Sequence, residues 1–135
     1  MPQKTATQMQ PDEIMTQVRI PIPPAGTGWC YAKLKRKTGD FASAAAAVML
    51  RMQGGNVADA QIALTNLGAT PLKASAAEAS LRGKPLNDAA FAEAARLAMS
   101  ICSPGEDQRG SAEYKMAMAG EMTQRALRTA HSRAK

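Results

Sequence analysis

Four cationic side chains within five residues are the clearest candidates for chemistry in this sequence. They follow an aromatic start in the stretch WCYAKLKRK and are Lys33, Lys35, Arg36 and Lys37. In an extended strand, successive side chains point to opposite faces, so the three lysines would share one face and the arginine would lie on the other. Like charges on one face repel unless solvent or an anionic group faces them. The cluster therefore predicts either a solvated edge strand or a surface at which one lysine faces a phosphate or an electron-rich cofactor ring.

The other reactive side chains do not form a catalytic arrangement. His131 is the single histidine and lies near the C-terminal end of the sequence, where we expect fraying. Glu106 and Asp107 precede a predicted helix, where negative charge is ordinary helix-dipole chemistry. Cys30 and Cys102 are too few and too far apart for a metal site. We therefore predict no catalytic residue and no metal ligand in this chain.

The composition is that of one domain with a tightly packed aliphatic core. The chain has 135 residues, of which 45% are hydrophobic and only 4% aromatic, with nine methionines to fill irregular gaps. Two cysteines in a chain of this length favour a reducing compartment. Because the sequence shows no signal-peptide core and no apolar stretch long enough to span a membrane, a cytoplasmic location is expected.

The formal net charge of +6 would suit an acidic partner such as nucleic acid, an anionic membrane or a protein. A second group of cations lies near the C-terminal end, but no aromatic residues are interleaved with it, as a stacking platform for nucleic acid would require. We therefore expect no nucleic-acid binding. The cations are interpreted as a solvated face or as a surface that faces another subunit.

The chain is predicted to form one domain with a short extension at either end. The expected divisions are a flexible leader, the domain itself and a frayed tail, at residues 1–12, 13–130 and 131–135. The domain begins where apolar Ile14, Val18 and Ile20 alternate with polar residues, a period that predicts a half-buried strand. Prolines and glycines between residues 21 and 28 end this strand.

Three further extended segments are predicted before the pattern changes to that of helices. They cover residues 29–36, 41–52 and 57–67, with turns at Thr38-Gly39-Asp40 and at Gly54-Gly55-Asn56. The middle segment is apolar throughout, so we expect it to be a central strand covered on both faces.

The second half of the sequence has the period of helices. Ser75 and Glu78 fit a capping box, and Gly83 would close that short helix. Asn87 is expected to cap a second helix. Ser111 is expected to open a long final helix with a buried stripe of Tyr114, Met118, Met122 and Ala126. Strands followed by helices predict an α+β fold, in which an antiparallel sheet of three to four strands is packed on one face by about three helices.

Several motifs, in this order, resemble those of one known domain. They are Tyr31-Ala32-Lys33, Arg36 with Asp40-Phe41-Ala42, the segment ALTNLG at 63–68 with Thr70-Pro71, and DQRGSAEY at 107–114. Together they resemble the C-terminal domain of the FAD-binding (medium) subunit of carbon monoxide dehydrogenase and related xanthine dehydrogenase-type molybdenum hydroxylases. The resemblance extends over residues 10–130.

The resemblance implies a part in electron transfer. Members of this family carry electrons from a molybdopterin subunit through an iron–sulfur subunit to FAD, and their C-terminal domain closes one side of the flavin cavity. A lysine of the aromatic-x-Lys strand approaches the isoalloxazine ring, so the resemblance makes Lys33 the cofactor-facing candidate, and Asp40 is expected to fix the adjacent turn at the same site. The implied partners are the FAD-binding domain, the iron–sulfur subunit and the molybdopterin subunit, with a homodimer as a further option.

The sequence also departs from the pattern of the family. The Gly-rich loops that hold most of the FAD do not occur in this sequence, so the isolated chain is expected to bind no FAD stably. Lys115 and Ala117 stand where family members commonly carry Arg and often His. The substrate of the parent enzyme is selected by the molybdenum subunit and is left open. The alternative hypothesis is a stand-alone dimerisation or interaction module that uses the same fold without flavin.

Overall fold

The computed structural model describes residues 9–134, so the predicted leader over residues 1–12 lies mostly outside the described range, as does Lys135. The strands are β1 (Thr27–Leu34), β2 (Ala44–Gln53), β3 (Asn56–Thr65) and β4 (Leu72–Lys73), and the helices are α1 (Ser75–Leu81), α2 (Asp88–Met99) and α3 (Ala112–Arg133). The strands form one antiparallel sheet in the order β1-β2-β3-β4. This architecture confirms the predicted α+β fold.

Two tight turns that were predicted from the positions of glycines connect the first three strands. At the first, the backbone N–H of Asp40 donates to the carbonyl of Lys37 at 3.2 Å, and Gly39 has a φ of +81°. At the second, Gly54 and Gly55 have φ values of 58° and 81°. Glycine adopts this left-handed conformation at little cost, and two such residues in succession match the twist of a hairpin.

The helices cover one face of the sheet, and the core lies between the two layers. Val48 and Leu50 of β2 and Ile62 and Leu64 of β3 point into this core and are almost completely buried. Alanines at neighbouring positions on both layers allow a close approach of helix and sheet. At Gly28 of β1 the approach is so close that an added Cβ atom would overlap the backbone at the C-terminal end of α3.

The opposite face of the sheet is covered only at one end. Ala45 of β2 is buried, but Ala47, Met49 and Arg51, which share its face, are only half-buried. The expectation that this central strand is covered on both faces is therefore wrong for most of its length. The reason is that all three helices of the described chain pack on the other face.

Residues 13–22, called here the N-terminal segment, do not form the predicted half-buried strand. The first strand of the described chain begins at Thr27, and Ile14, Val18 and Ile20 are exposed over 86%, 70% and 83% of their surface. No backbone hydrogen bond joins residues 14–22 to the rest of the described chain. The prediction is wrong because a strand needs a neighbour with which to pair, and residues 9–134 do not supply one.

The two longer helices begin at the caps that the sequence predicted. The side chain of Asn87 accepts a hydrogen bond from the backbone N–H of Ala90 at 2.8 Å, and the hydroxyl of Ser111 accepts from that of Tyr114 at 3.1 Å. At its other end α3 continues to Arg133, so the predicted boundary of the tail at residue 131 falls within this helix.

Two buried charged side chains contradict predicted details of the helices. Glu78 does not form a capping box with Ser75, because its carboxylate faces the sheet and accepts a hydrogen bond from the backbone N–H of Ile62 at 3.0 Å. In α3, Lys115 is buried and Tyr114 is exposed, so the buried stripe does not begin at the tyrosine. Both side chains find hydrogen-bond partners inside the fold that a local sequence pattern does not reveal.

Candidate functional site

A cavity of about 490 Å³ opens at the end of β1, between the loop that leads into β2 and the loop that follows β3. Its lining includes Tyr31 and Lys33 from β1, Asn66 and Thr70 from the loop after β3, and Arg109 from the α2–α3 loop. The side-chain amide of Asn66, whose φ is +61°, donates to two carbonyls of the loop before β2. This amide therefore holds the two loops at a fixed separation across the cavity.

Lys33 is one of the residues that line this cavity. Its side chain shares the open face of the sheet with Tyr31, which stands two residues earlier in the same strand. Because β1 ends at Leu34, Lys35 and Lys37 lie in the following loop, and the expectation that three lysines share one strand face is wrong. Of the four clustered cations, only Lys33 lines the cavity.

Asp40 lies behind the cavity wall rather than in its lining. Its side chain is 10% exposed, and Oδ1 accepts hydrogen bonds from the backbone N–H of Phe41 at 2.9 Å and from Nη2 of Arg109 at 3.3 Å. Nε of Arg36 lies 3.7 Å from the other carboxylate oxygen. Burial by itself would raise the pKa of Asp40, but the hydrogen bond and charge of Arg109, with the Phe41 N–H, hold that pKa below its ordinary value. Asp40 therefore stays ionised at neutral pH and fixes the turn before β2.

Arg109 connects Asp40 with the cavity. It stands 69 residues after the aspartate in the chain, and its guanidinium lies 5.6 Å from the centroid of the Phe41 ring. A second contact joins the same loops, since Nη1 of Arg36 donates to the carbonyl of Gln108 at 3.3 Å. These contacts attach the β1–β2 loop to the α2–α3 loop and determine the shape of one wall of the cavity.

An ion pair between the buried Lys115 and the exposed Asp107 supports the α2–α3 loop. Lys115 is 2% exposed, and its Nζ donates to the carbonyl of Gly105 at 2.7 Å and lies 2.9 Å from Oδ1 of Asp107. The hydrogen bond from Lys115 is the main cause that lowers the pKa of Asp107 below its ordinary value. Lys115 therefore holds the loop that carries Arg109.

Tyr31 also borders a second hollow, of about 480 Å³, on the open face of the sheet. Apolar groups line most of this hollow, among them those of Trp29 and Met49. The guanidinium of Arg133 lies 5.1 Å from the centroid of the Trp29 ring. Tyr31 is thus a half-exposed aromatic side chain that contributes to both hollows.

Sequence reasoning did not name Tyr31 or Arg109 as site residues. A signal for Tyr31 was available, because residues two apart in a strand share a face and Lys33 was already a candidate. For Arg109 the motif at 107–114 drew attention to the loop, but nothing in the chain order indicated its contact with Asp40. The two predicted site residues, Lys33 and Asp40, lie in the lining of the cavity and behind its wall, respectively.

The chemistry of this arrangement is that of binding. It offers two cations, Lys33 and Arg109, two aromatic rings, Tyr31 and Phe41, and two rigidly held loops to whatever fills the cavity. In the described part of the chain, no three His, Cys, Asp or Glu side chains are placed to hold a metal ion. Over residues 9–134, no helix has both the length and the apolar composition needed to cross a membrane. Fold and site together define an α+β domain with a cavity at one end of its sheet.

The chain belongs to the family of CO dehydrogenase flavoprotein C-terminal domains, whose family model matches residues 29–130. This match confirms the resemblance that the ordered motifs indicated. The residues that line the cavity, from Tyr31 to Arg109, all lie within the matched range.

Comparisons with individual proteins agree with this assignment. The chain is 50% identical over 129 residues to the carbon monoxide dehydrogenase medium chain of Afipia carboxidovorans, which covers 96% of this chain and 45% of that protein. It is 46% identical over 127 residues to the corresponding chain of Hydrogenophaga pseudoflava, covering 94% of this chain and 44% of that protein. A solved structure of carbon monoxide dehydrogenase from Hydrogenophaga pseudoflava superposes on this chain with a TM-score of 0.85 at 53% identity. That structure is of a form that lacks the Mo-pyranopterin moiety of the molybdenum cofactor, and the match covers 86% of this chain and 40% of that chain. The chain thus spans less than half the length of these relatives.

Proposed function

We propose that this domain closes one side of the FAD cavity in the flavoprotein subunit of a molybdenum hydroxylase. The observation that carries the proposal is the pair Tyr31 and Lys33, which project from one strand into one cavity in a chain of this flavoprotein family. In this role the domain takes part in electron transfer by shaping the surroundings of the cofactor. The proposed partners are an FAD-binding domain, an iron–sulfur subunit and a molybdopterin subunit, in the cytoplasm.

The residues at the cavity fit a planar, electron-rich ring. Bound FAD would supply the ability to accept electrons and pass them on. The ammonium group of Lys33 donates hydrogen bonds and carries a positive charge, which stabilises negative charge on a neighbouring ring. The half-exposed ring of Tyr31 is suited to contact a planar group by offset stacking. Both properties arise from the chain's own residues.

Asp40 supports the proposed site indirectly, through Arg109, which lines the cavity. The carboxylate of Asp40 is engaged by Arg109 and by the backbone of its own turn, and it does not line the cavity. We therefore assign Asp40 the positioning of the cavity wall, through Arg109, instead of a direct contact with the cofactor.

The isolated chain is proposed to bind no FAD stably. The reason is that the chain contributes only one wall of a cavity that is open to solvent, and an open wall buries too little of a ligand this large. Flavin absorbance that co-purifies with the chain alone at a ratio near one to one would contradict this part of the proposal.

The role of Lys33 is tested in a chimeric flavoprotein, in which this chain replaces the matching part of the Afipia carboxidovorans medium chain. Lys33→Ala should lower the reduction potential of the flavin by roughly tens of millivolts, because loss of a nearby positive charge destabilises the reduced ring. Lys37→Ala is the matched control, since it removes the same side chain from the loop outside the cavity. Equal potentials for the unsubstituted chimera and for Lys33→Ala would contradict the proposed role.

A further inference from the structure

The N-terminal segment presents an apolar surface that the described chain does not cover. Its large apolar side chains are exposed over 66% to 93% of their surface and are Ile14, Met15, Val18, Ile20 and Ile22. Single exposed apolar residues are common on proteins. Five of them within residues 14–22 form a continuous group of the kind that marks an interaction surface.

The spacing of four of these five residues is that of a strand, and Met15 would lie on the other face. Ile14, Val18, Ile20 and Ile22 stand at even positions, so on an extended backbone they point to one face, while Gln17 and the other odd positions point to the opposite face. The backbone N–H and C=O groups of residues 14–22 make no hydrogen bond with the backbone of the rest of the described chain. An apolar face and unpaired backbone groups are together satisfied by the edge of another β-sheet.

We propose that the N-terminal segment pairs as an additional strand with a β-sheet of the FAD-binding domain, and that this pairing attaches the present domain to its flavoprotein. The identity of the partner rests on the proposed function. The conclusion that the partner is a β-sheet rests on the apolar face and the unpaired backbone groups of the segment.

Two comparisons favour this partner over a second copy of the chain. The match to the Afipia carboxidovorans medium chain spans 129 of the 135 residues and so includes the N-terminal segment, whereas the family model of the domain begins at residue 29. The segment therefore accompanies the domain in a longer relative without belonging to the domain as the family defines it. The match covers only 45% of that relative, which leaves most of its length available to form the sheet that the segment would join.

The connection between the segment and the sheet of this domain is stiff. Prolines between residues 21 and 24 restrict the backbone to extended conformations. The carbonyl of Gly26 then accepts a hydrogen bond from the backbone N–H of Met52 at 3.0 Å, which fixes the point at which β1 begins. A partner bound to the segment is therefore attached directly to the strand that carries Lys33.

The proposal is tested by co-expressing this chain with the part of the Afipia carboxidovorans medium chain that lies outside the match. Hydrogen exchange, read by mass spectrometry, then compares the isolated chain with the complex. We expect the amides of residues 14–20 to exchange freely in the isolated chain. In the complex, about half of them, the alternate amides that point to the partner strand, should slow by roughly 100-fold, since amides in a β-ladder exchange only when the ladder opens.

Two matched variants test the face of the strand. Val18→Asn and Gln17→Asn introduce the same side chain at adjacent positions, which lie on opposite faces of an extended segment. Val18→Asn should weaken association roughly tenfold, because it removes an apolar side chain from the interface, while Gln17→Asn should change it by less than about twofold. Both positions are exposed in this domain, so neither variant should alter its unfolding midpoint.

The outcomes separate this proposal from the proposed function. A complex in which the segment stays unprotected, or equal losses from the two variants, would overturn the strand pairing. Protection of the segment in the isolated chain through self-association would also overturn it, in favour of a second copy. Failure of the two parts to associate overturns it as well. The reduction potential of the covalent chimera, which does not depend on this association, decides the role of Lys33 independently.

Discussion

The carboxylate of Glu78 accepts a hydrogen bond from β3 at a position that a neighbouring strand would otherwise occupy. Replacing Glu78 therefore tests how much this buried hydrogen bond contributes to the stability of the fold. β4 is only two residues long, so its ladder with β3 consists of two residue pairs. Leu72 pairs with Leu64, and Lys73 pairs with Ala63. The next N–H of β3 in this direction, that of Ile62, donates to Oε1 of Glu78 at 3.0 Å. Glu78→Ala would leave this buried N–H without an acceptor.

The expected loss follows from burial and charge. A hydrogen bond to a charged group contributes roughly 1.5–3 kcal/mol, and a buried donor left unpaired adds a desolvation penalty. Lys73 and Arg82 lie 3.9 and 3.7 Å from the other carboxylate oxygen, but their side chains are 70% and 46% exposed, so these ion pairs add little. We expect Glu78→Ala to lower the free energy of unfolding by about 2–4 kcal/mol and the melting temperature by about 10 °C.

Thermal and urea unfolding, followed by circular dichroism, measure this loss. Glu78→Gln keeps an acceptor for the N–H of Ile62 and should lose no more than about 1 kcal/mol. Glu93→Ala is the matched surface control, because Glu93 pairs with Arg96 on the exposed face of α2, and its unfolding midpoint should stay near that of the unsubstituted chain. A Glu78→Ala variant as stable as the Glu93→Ala control would refute the reasoning. Equal losses for the alanine and glutamine variants would show that the charge matters and the hydrogen bond does not.

Three further predictions concern packing, acid stability and thiol reactivity. Gly28→Ala should lower the free energy of unfolding by about 3 kcal/mol or more, because the added Cβ would overlap the backbone of α3. Gly105→Ala is the control: it has open space around it and should unfold like the unsubstituted chain. Burial would raise the pKa of Asp40, but the guanidinium of Arg109 holds this pKa below the ordinary value of 3.8. The ionised carboxylate therefore stabilises the fold above about pH 4, and this contribution is lost as the pH falls through the pKa of Asp40 in the fold. Denaturant titrations from pH 6 to about pH 2 should therefore show a shallower loss of stability for Asp40→Asn, and parallel curves would contradict this. Burial raises the pKa of Cys102 to about 11, so iodoacetamide at about pH 8 should label the half-buried Cys30 well before Cys102. Mass spectrometry of tryptic peptides measures the two labelling rates. Equal rates would contradict the burial of Cys102.

Features that depend on neighbouring residues were predicted correctly from the sequence. The Gly54-Gly55 turn and the caps at Asn87 and Ser111 each involve residues within three positions of one another, so short-range preferences are sufficient to indicate them. The ordered motifs also indicated the family, because motif order along the chain is a property of the sequence alone.

Features that depend on distant partners were not predicted. A local rule paired Glu78 with Ser75, whereas packing of α1 against β3 gives the carboxylate a buried N–H 16 residues earlier in the chain. For the N-terminal segment the prediction is wrong because a distant partner is missing. Its local period predicts a strand, but a strand forms only beside another strand, and the described chain has none at that place.

By itself, the sequence determined β1 to β3, the three helices that follow them and the family, and it named Lys33 as a candidate, because periodicity, turn and cap preferences act over a few residues. Only the tertiary structure decided what surrounds that lysine. It placed Tyr31 and the loop after β3 around one cavity, and it brought Arg109 to Asp40 across 69 residues of chain. The physical reason is that burial and charge pairing depend on which groups are adjacent in space, and this adjacency is set by the packing of three helices on one face of the sheet.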